Sequence, residues 1–394
     1  MTHAIGKAPS GTAQGCVSPT LRTGHKDDGR RGAARIYRSV AVAIALFGAV
    51  PAAFAQEAAP PAAQATTKPN IVIIGTGGTI AGAGASSVNT GDYDSAKVAV
   101  DKIIAAVPEM KEVANVKGEQ IFQIGSESFN DERLLKLAHR VSELVKQPDV
   151  DAVMITHGTD TIEETSYFLN LTLKTEKPVV IVGAMRPGTA LSADGPLNLY
   201  NAAVVASAKE ARGKGVLVVM NDEIHSARDV TKSNALKVET FKSLYGPLGV
   251  VVESKPYFYR LPARPHTMAT EFDIDQIEAL PKVDVFYAHV TMDPKALDAI
   301  AGLGGKALIY AGTGNGSVAD YMEEPLKKVR EKEIVVRATR TGSGLVVRNG
   351  EEKDDDNDWI VAADQSPQKA RILMSLALMK TSDTKQLQDI LYKY

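Results

Sequence analysis

Hydroxyl groups follow two runs of apolar, β-branched residues of the kind that form buried strands. The first is Thr79, in the segment GTGGTIAG at residues 75–82, directly after the apolar run at residues 71–74. In parallel α/β sheets, ligands bind beyond the carboxyl ends of the strands. The glycines of this segment allow a sharp turn and a close approach of a ligand to the backbone. The loop is therefore a candidate site.

The glycines around Thr79 do not form a nucleotide-binding motif. A dinucleotide fingerprint would need glycine at position 80, which is Ile80, and a Walker loop would need Gly-Lys followed by Ser or Thr. Thr79 is thus a hydroxyl on a tight turn after a strand. Taken alone, such a threonine favours a structural role in the turn over a role as a nucleophile.

The second segment is THGTDT at residues 156–161, again directly after a predicted strand and at a predicted helix start. It places the Thr159 hydroxyl and the Asp160 carboxylate where backbone N–H groups point outward. Plain capping of the helix by Asp160 and Thr161 is the alternative, and it explains Thr159 and His157 less well. We interpret His157 as a structural histidine rather than a base.

The elements that must position these groups alternate between strands and helices. Strands are predicted at residues 71–74, 120–124, 152–156, 178–182, 216–220, 283–287, 307–311 and 334–338. Helices are predicted at residues 95–106, after Asn130, after Thr161, at 197–209, at 317–332 and from Ser366 to Lys380. Thr161 and Glu164 have capping-box spacing. The alternation predicts mostly parallel sheets flanked by helices.

The fold class is therefore α/β, with two α/β domains. The predicted parts are a signal peptide at 1–55, an Ala/Pro-rich spacer at 56–68, a larger N-terminal domain at 69–260, a linker at 261–280 and a smaller C-terminal parallel-sheet domain at 281–394. The N-terminal domain carries both hydroxyl-bearing loops. The acidic run EEKDDDND at 351–358 is predicted to be a solvated loop.

The first 55 residues have the three parts of a secretory signal peptide. A basic stretch that includes Arg35 and Arg38 precedes an eleven-residue apolar run at 40–50, and Ala53-Phe54-Ala55 provides a small-x-small end. A membrane anchor is the alternative, but eleven residues fall short of the roughly 20 needed to span a bilayer. We therefore expect export to the periplasm and no membrane attachment after cleavage.

Cleavage after Ala55 changes both the charge and the cysteine content of the chain. The full chain has a formal net charge of -2, and the leader holds seven basic and two acidic residues, which leaves a net charge of -7. A chain with this net charge has no overall positive electrostatic potential that would attract nucleic acid or anionic lipid. The single cysteine, Cys16, leaves with the leader. Thiol chemistry and cysteine-ligated zinc are thereby excluded from the mature chain.

Several segments together resemble the bacterial type II L-asparaginases. The likeness runs from about Asn70 to Tyr394, and its segments are TGGTIAG at 76–82, HGTDT at 157–161, VGAMRP at 182–187, SADGPLNLYNA at 192–202, RDVTK at 228–232, YGPLG at 245–249 and PQKARIL at 367–373. The loop Gly125-Ser126-Glu127 is most similar to that of the glutaminase-asparaginase branch.

The resemblance implies an amidohydrolase that removes the side-chain amide of L-asparagine and L-glutamine through a threonine nucleophile, with no metal and no cofactor. It places the catalytic residues at Thr79, Tyr93, Thr159, Asp160 and Lys232, with Thr79 as the nucleophile and Tyr93 as its proton acceptor. It places substrate contacts at Gly78, Ser126, Glu127, Ala184 and Glu351. Asp160 is the candidate for the substrate α-ammonium and Ser126 for the α-carboxylate.

Lys232 has two interpretations at this stage. A lysine next to the Thr159 hydroxyl can activate it only where burial makes the loss of its proton easier. The alternative is a surface ion pair with Asp160, which would tolerate substitution. A lysine that exchanges protons must be buried, whereas a lysine in a surface ion pair is exposed. The burial of the Lys232 side chain therefore bears on these two interpretations.

The resemblance also implies a homotetramer with active sites at subunit interfaces, because an acidic residue of a neighbouring subunit completes the family's site. Its position matches Glu351. One departure concerns the family's asparagine near the substrate amine, for which His289 is the nearest candidate in the sequence YAHVTM at 287–292.

Two other functions fit parts of the sequence. A periplasmic amino-acid-binding protein without catalysis would also have two α/β lobes, but it would need no hydroxyl-lysine-aspartate constellation. An amidotransferase-like deaminating subunit would normally lack an export signal. Release of ammonia from L-asparagine and L-glutamine separates these classes.

Overall fold

The structure is a computed structural model, and it describes residues 67–394. The predicted signal peptide, Cys16 and most of the predicted spacer lie outside the described residues. The described residues belong to one compact unit. Among the described helices, none combines the length and the apolar character that crossing a bilayer requires.

A large sheet of eight strands carries the first half of the described chain. Its strands are β1 Asn70–Gly77, β2 Asn115–Ile124, β3 Ala152–Thr156, β4 Val179–Val182, β5 Val216–Met220, β6 Glu223–Ser226, β9 Gly249–Val252 and β10 Lys255–Phe258. Their order is β10-β9-β6-β5-β4-β3-β1-β2. The five strands from β2 to β5 run parallel, whereas β6, β9 and β10 pair antiparallel at the other edge.

The central strands are buried on both faces, as continuous apolar runs predict for parallel sheets. Every residue of β3, β4 and β5 is buried. Two further short strands, β7 Val230–Lys232 and β8 Phe241–Ser243, form a separate antiparallel ribbon. The sequence patterns did not predict this ribbon or the antiparallel edge, because short strands between turns carry little periodicity.

A second sheet of four parallel strands carries the later part of the chain. Its strands are β11 Val283–Tyr287, β12 Ala307–Gly312, β13 Ile334–Thr339 and β14 Ile360–Val361, in the order β11-β12-β13-β14. The predicted α/β class with a larger, mostly parallel sheet and a smaller parallel sheet is confirmed.

Helices cover the sheets. They are α1 Val100–Ala105, α2 Met110–Val113, α3 Asp131–Lys146, α4 Ile162–Thr172, α5 Gly195–Ser207, α6 Lys295–Ala301, α7 Asp320–Arg330, α8 Pro367–Ala377 and α9 Thr384–Lys393. Nearly every residue of α4 and α8 is buried, and the two helices pack against each other. One continuous apolar core includes residues of both sheets and of α8.

The predicted linker at 261–280 packs against the main core. Phe272 and Ile274 are buried in the main core, and two single-turn helices lie within the segment. The domain boundaries at 260 and 281 remain a proposal, because the core runs across them.

Several predicted helix features are wrong in detail. Thr161 is the N-cap residue of α4, but its hydroxyl donates to the Ser126 carbonyl at 2.9 Å, so the predicted capping box with Glu164 does not form. Glu164 instead lies 3.5 Å from Arg371. The caps predicted at Asn130 and Ser366 are present. The first predicted helix begins only at residue 100, and α7 begins at residue 320.

The acidic run is not simply a solvated loop. Asp354 is fully buried and forms two hydrogen bonds with the equally buried Arg337, at 2.6 and 2.7 Å. A buried carboxylate needs such a partner because burial of an unpaired charge is costly. The composition of the run indicated solvation, and only the tertiary position of Arg337 decides which of its acids is buried.

Candidate active site

Three loops meet at the carboxyl edge of the large sheet because β2, β1 and β3 are neighbours. Gly78 has φ +78°, and a Cβ there would lie 2.4 Å from Gly158 Cα. A Cβ on Gly158 would lie 2.5 Å from Ser126 Oγ. Both distances are too short for real atoms. The glycines at these positions therefore allow the loops after β1, β2 and β3 to touch.

Thr79 and Tyr93 form the first pair of the site. Their side-chain oxygens lie 2.7 Å apart and share a hydrogen bond. Backbone bonds between Ala83 and Asp94 fix the segment that carries Tyr93. Gly82 leaves room for the ring, since a Cβ there would lie 2.9 Å from Tyr93 Cδ2. The phenol can thus exchange a proton with the Thr79 hydroxyl.

Lys232, Thr159 and Asp160 form the second cluster. Lys232 Nζ donates to Thr159 Oγ1 at 2.9 Å and to Asp160 Oδ1 at 2.6 Å. The Lys232 side chain is 17% exposed, whereas that of Asp160 is 59% exposed. Most of the lysine side chain is therefore covered, whereas the carboxylate that it meets is open to solvent. Since Lys232 donates to Thr159 Oγ1, the hydroxyl proton of Thr159 is left to point elsewhere.

Ser126 connects the loop after β2 to the loop after β3. Its Oγ accepts the backbone N–H of Asp160 at 3.2 Å, and its carbonyl accepts the Thr161 hydroxyl. The side chain is buried, yet it lines the cavity. Its own hydroxyl proton therefore remains available to a ligand.

One open cavity holds both threonine hydroxyls. Its lining consists of Gly78, Thr79, Gly91, Tyr93, Ser95, Gly125, Ser126, Glu127, Gly158, Thr159 and Asp160. The sequence-predicted residues Gly78, Thr79, Tyr93, Ser126, Glu127, Thr159 and Asp160 are thus brought together. Lys232 contacts two of them. Gly91 and Ser95 were not predicted, because nothing in their local pattern sets them apart.

Two predicted contacts lie outside this cavity. Ala184 is fully buried and is not part of the lining. Glu351 is exposed, and its carboxylate accepts a hydrogen bond from Ser317. His289 is exposed as well, and its Nδ1 lies 2.7 Å from the Val290 carbonyl oxygen. A single protomer therefore does not bring Glu351 or His289 to the cavity.

His157 is a structural histidine, as the sequence analysis suggested. Its ring is fully buried and packs against Phe129 with 4.7 Å between ring centroids. Burial lowers the pKa of His157 to about 4, and a hydrogen bond to the Gly158 carbonyl opposes that shift. The neutral ring faces the core rather than the cavity.

Glu163 was missed by the sequence analysis. Its Oε2 accepts the backbone N–H of Lys232 at 2.8 Å, although 69 residues separate the two. The carboxylate is 6% exposed. In sequence, an acid in the first turn of a helix indicates only a favourable interaction with the helix dipole. No local signal could have revealed this contact.

Within residues 67–394, no group of three His, Cys, Asp or Glu side chains is placed to hold a metal ion. The polar groups of the cavity are hydroxyls, two carboxylates and backbone amides. Such a set suits a small zwitterionic ligand, because carboxylates bind an ammonium while hydroxyl and N–H donors bind a carboxylate.

Two family models match the chain. Residues 70–264 match the asparaginase N-terminal model, and residues 282–391 match the glutaminase/asparaginase C-terminal domain model. Together they span most of the described residues.

Curated relatives and solved structures agree with these models. The chain is 54% identical over 343 residues to a glutaminase-asparaginase of Pseudomonas fluorescens biotype A, which covers 85% of this chain and 95% of the relative. It is 48% identical over 328 residues to the "Probable L-asparaginase periplasmic" of Haemophilus influenzae, with 83% and 93% covered. A crystal structure of the "Probable Cytoplasmic L-asparaginase" of Campylobacter jejuni has a TM-score of 0.80 and 44% identity, and the match covers 83% of this chain and all of that one.

Proposed function

The chain belongs to the asparaginase/glutaminase family of hydrolases, in its glutaminase-asparaginase branch, and we propose that it hydrolyses the side-chain amides of L-asparagine and L-glutamine through Thr79. One observation carries the proposal. Two threonine hydroxyls line one cavity, and each is hydrogen-bonded to a side chain that can exchange protons, Tyr93 for Thr79 and Lys232 for Thr159.

The first half-reaction uses Thr79 and Tyr93. The Thr79 oxygen bonds to the amide carbon, and its proton passes through the Tyr93 oxygen toward the leaving nitrogen. The carbon–nitrogen bond breaks, ammonia leaves, and an acyl ester of Thr79 remains. A free threonine hydroxyl is a weak nucleophile, so a proton acceptor within hydrogen-bond reach is needed. The 2.7 Å separation of the two oxygens meets this need.

The second half-reaction restores the enzyme. Water adds to the ester carbon, the bond to Thr79 breaks, and the hydroxyl recovers a proton as the acidic product leaves. We assign Thr159 and Lys232 to the movement of protons in this cavity. The bond from Lys232 Nζ to Thr159 Oγ1 orients that hydroxyl, and general acid–base groups must lie within such distances of the proton that they move.

The α-ammonium and α-carboxylate of the substrate need separate contacts. Asp160 Oδ1 accepts from Lys232, which leaves Oδ2 for the α-ammonium. Ser126 can donate its hydroxyl proton to the α-carboxylate. Charge-assisted hydrogen bonds of this kind are stronger than neutral ones. Ser126 and the exposed Glu127 both line the cavity, and we connect their loop with acceptance of the longer glutamine side chain because it resembles that of the glutaminase-asparaginase branch.

Release of ammonia from each free amino acid tests the activity. We expect the purified chain to hydrolyse L-asparagine and to show substantial hydrolysis of L-glutamine as well. Glutamine hydrolysis below about a hundredth of asparagine hydrolysis, roughly 2.7 kcal/mol in the transition state, would contradict the dual specificity. A protein that binds both amino acids and releases no ammonia from either would instead be a binding protein.

We further propose that the protein is periplasmic. Two observations support this proposal: the predicted signal peptide at residues 1–55 and the periplasmic name of the H. influenzae relative. The C. jejuni neighbour is named cytoplasmic, so the fold alone does not determine location. Sequencing of the mature N-terminus from a periplasmic fraction should give Gln56 as the first residue. A cytoplasmic chain that begins at Met1 would contradict the proposal.

Assembly is the last part of the proposal. We propose a homotetramer in which Glu351 of one protomer reaches the substrate amine bound by another. The support is that Glu351 is exposed and lies outside the cavity of its own chain. Size measurement in solution by sedimentation should give a mass close to four chains, and a monomer with full activity would contradict this assignment.

A further inference from the structure

Lys232 lies on a ribbon that stands apart from the large sheet. Its strand β7 has three residues and pairs only with the three-residue β8. A two-stranded ribbon is marginally stable by itself, so other contacts must fix its position. Helix α4 packs against β7, and β6 packs against β8. Further contacts come from α8, in the C-terminal part of the chain, whose segment PQKARIL entered the sequence analysis only as part of the family resemblance.

Lys369, in the first turn of α8, holds the segment that enters β7. Its Nζ donates to three carbonyl oxygens, those of Ala227 at 3.0 Å, Arg228 at 2.8 Å and Val230 at 2.6 Å. An ammonium has three N–H donors and no acceptor, so these carbonyls satisfy it fully. The nitrogen also lies 5.6 Å from the centre of the Tyr167 ring.

Burial of the charged Lys369 side chain costs free energy. The residue is 4% exposed, and burial lowers the pKa of its ammonium to about 8. The charges that face it are Glu163 and Glu164 from α4, and Arg228 and Asp229 from the segment before β7. None of the three hydrogen bonds goes to a carboxylate, so the ammonium is held by backbone dipoles. A charge that is buried among backbone carbonyls suits a residue that holds those parts of the backbone in position.

Gln368 holds the other end of the same strand. Its Nε2 donates to Glu163 Oε1 at 2.7 Å, and Glu163 Oε2 accepts the backbone N–H of Lys232 at 2.8 Å. Glu163 lies in the first turn of α4, three residues after Asp160. The carboxylate therefore sets the separation between the backbone of Lys232 and the loop that carries Thr159 and Asp160.

We propose that Lys369 and Gln368 are positioning residues for the reaction. Two consecutive side chains of α8 hold the strand that carries Lys232, so that its Nζ stays within hydrogen-bonding distance of Thr159 and Asp160. The C-terminal part of the chain thus holds the cluster of Lys232, Thr159 and Asp160 in position within one protomer. The inference rests on the proposed role of Lys232, and the experiment is chosen to separate the two.

The first test is Lys369→Met in the full mature chain. The variant keeps the length of the side chain and removes all three donors. We expect kcat on L-asparagine to fall about a hundredfold, as a displacement near 1 Å of a reacting group can cause. KM should change less than kcat, because Ser126 and Asp160, the residues proposed for the substrate head, lie on loops that Lys369 does not contact.

Lys174→Met is the matched control. Lys174 Nζ also donates to main-chain carbonyls, those of Thr267 at 3.2 Å and Thr270 at 2.6 Å, and to Thr270 Oγ1 at 2.9 Å. These bonds hold the predicted linker segment rather than β7. The control therefore removes a similar set of bonds, and we expect its kcat to equal that of the parent protein. An equal loss of kcat in both variants would overturn the proposal.

A double-mutant cycle provides the readout that general structural damage would not give. Addition of Lys369→Met to Lys232→Met should cause no further loss of kcat, because the strand then has no ammonium to position. Damage that acts independently would multiply the two losses. A multiplied loss would therefore contradict the proposal.

The remaining outcomes are equally decisive. If Lys369→Met fails to fold, Gln368→Met tests the second contact, since it removes only the bond to Glu163. Wild-type kcat in the folded Lys369 or Gln368 variant, beside a slow Lys232→Met, would overturn the positioning role alone. Wild-type kcat in Lys232→Met itself would overturn the proposed function of Lys232, and the positioning role with it.

Discussion

At the scale of single residues, the site assigns a different proton partner to each threonine. Tyr93 can accept a proton from Thr79, whereas Lys232 donates to Thr159. A hydroxyl that must attack needs an acceptor, and a hydroxyl that must only be oriented can use a donor. This difference is consistent with the family resemblance, from which we assign the attack to Thr79 rather than to Thr159.

The first prediction concerns Thr79. Thr79→Ala should lower kcat by at least on the order of a thousandfold, because removal of a nucleophile leaves only binding and orientation. Substrate binding, measured by calorimetry with L-asparagine, should persist. The unfolding temperature should change little, since the only side-chain contact of the Thr79 hydroxyl in the described residues is the one to Tyr93.

Thr76→Val is the control for that experiment. The Thr76 hydroxyl lies three residues earlier, is buried and donates to the Thr156 carbonyl at 2.8 Å, outside the cavity. This variant should lose some stability and keep its kcat. Turnover at the parent rate in Thr79→Ala would end the assignment of the nucleophile.

At the scale of elements, buried charges determine how the loops of the small sheet are held. Asp354 accepts from Arg337 with both carboxylate oxygens, and it also accepts the backbone N–H of Asn349 at 2.8 Å. Arg337 donates further to the carbonyls of Asn315 and Gly316. The pair thus connects the loop after β12 to the loop that carries Glu351.

The second prediction is that Asp354→Asn destabilises the fold. The substitution leaves a buried guanidinium without its counter-charge, and loss of one partner of a buried pair costs about 3–5 kcal/mol. Denaturant unfolding should measure this loss. The exposed neighbour Asp356 provides the control, and Asp356→Asn should unfold like the parent protein. Equal stability of the two variants would show that the buried pair contributes little.

The third prediction concerns the acid at the start of β13. Glu333 is 3% exposed, neither carboxylate oxygen has a hydrogen-bond partner among the described residues, and the carboxylate of Asp284 lies nearby across Gly305. Burial and the nearby Asp284 raise the pKa of Glu333 above its ordinary value. The folded state therefore holds this proton to higher pH than the unfolded state does.

The sign of the pH dependence follows from that difference. Stability decreases wherever the folded state binds more protons than the unfolded state, which here is from the ordinary pKa of glutamate, 4.5, upward to the raised pKa. Glu333→Gln should therefore raise the free energy of unfolding at neutral pH and change it little near pH 4. Glu331→Gln, at an exposed position two residues earlier, should have no effect at either pH. A Glu333→Gln variant that is less stable at neutral pH would contradict the prediction.

At the scale of the whole molecule, the two sheets share one apolar core. Helix α8 packs on α4 and on strands of the small sheet, and it also contacts the segment that enters β7. The cavity lies at one edge of the large sheet, but the proposed carboxylate of Glu351 lies elsewhere in the same protomer. If Glu351 takes part in the reaction, as we propose, it must do so at the cavity of another chain.

The fourth prediction tests this shared site. Glu351→Ala alone should keep the assembly and lose discrimination for the substrate α-amine. A mixture of Glu351→Ala and Thr79→Ala subunits should regain part of the activity, because some sites then combine an intact Thr79 with an intact Glu351 of a neighbour. With subunit exchange confirmed by mass, the absence of any recovery would show that Glu351 acts within its own chain or takes no part.

The sequence by itself determined the fold class and pointed to the loops that line the cavity. Continuous apolar runs predicted β3 and β5 with their observed bounds, because strands buried on both faces need apolar side chains at every position. Glycine-rich turns directly after two such strands pointed to Thr79 and Thr159 for a related reason, since only glycine permits the close loop contacts seen at Gly78 and Gly158. The family resemblance then supplied Tyr93 and Lys232, which local patterns alone do not distinguish.

The tertiary structure decided the contacts between residues far apart in the chain. The periodicity of apolar residues does not indicate which buried acid pairs with which buried base. Arg337 was therefore predicted only as a strand residue and Asp354 only as part of a solvated loop, although the two form a buried ion pair. The contacts of Lys369 could not be predicted from the sequence either. Its three acceptors are main-chain carbonyls about 140 residues earlier, and every residue type has such a carbonyl. A side chain that binds the backbone leaves no pattern in the partner's sequence. Only the packing of α8 beside β7 determines that Lys369 holds the strand of Lys232.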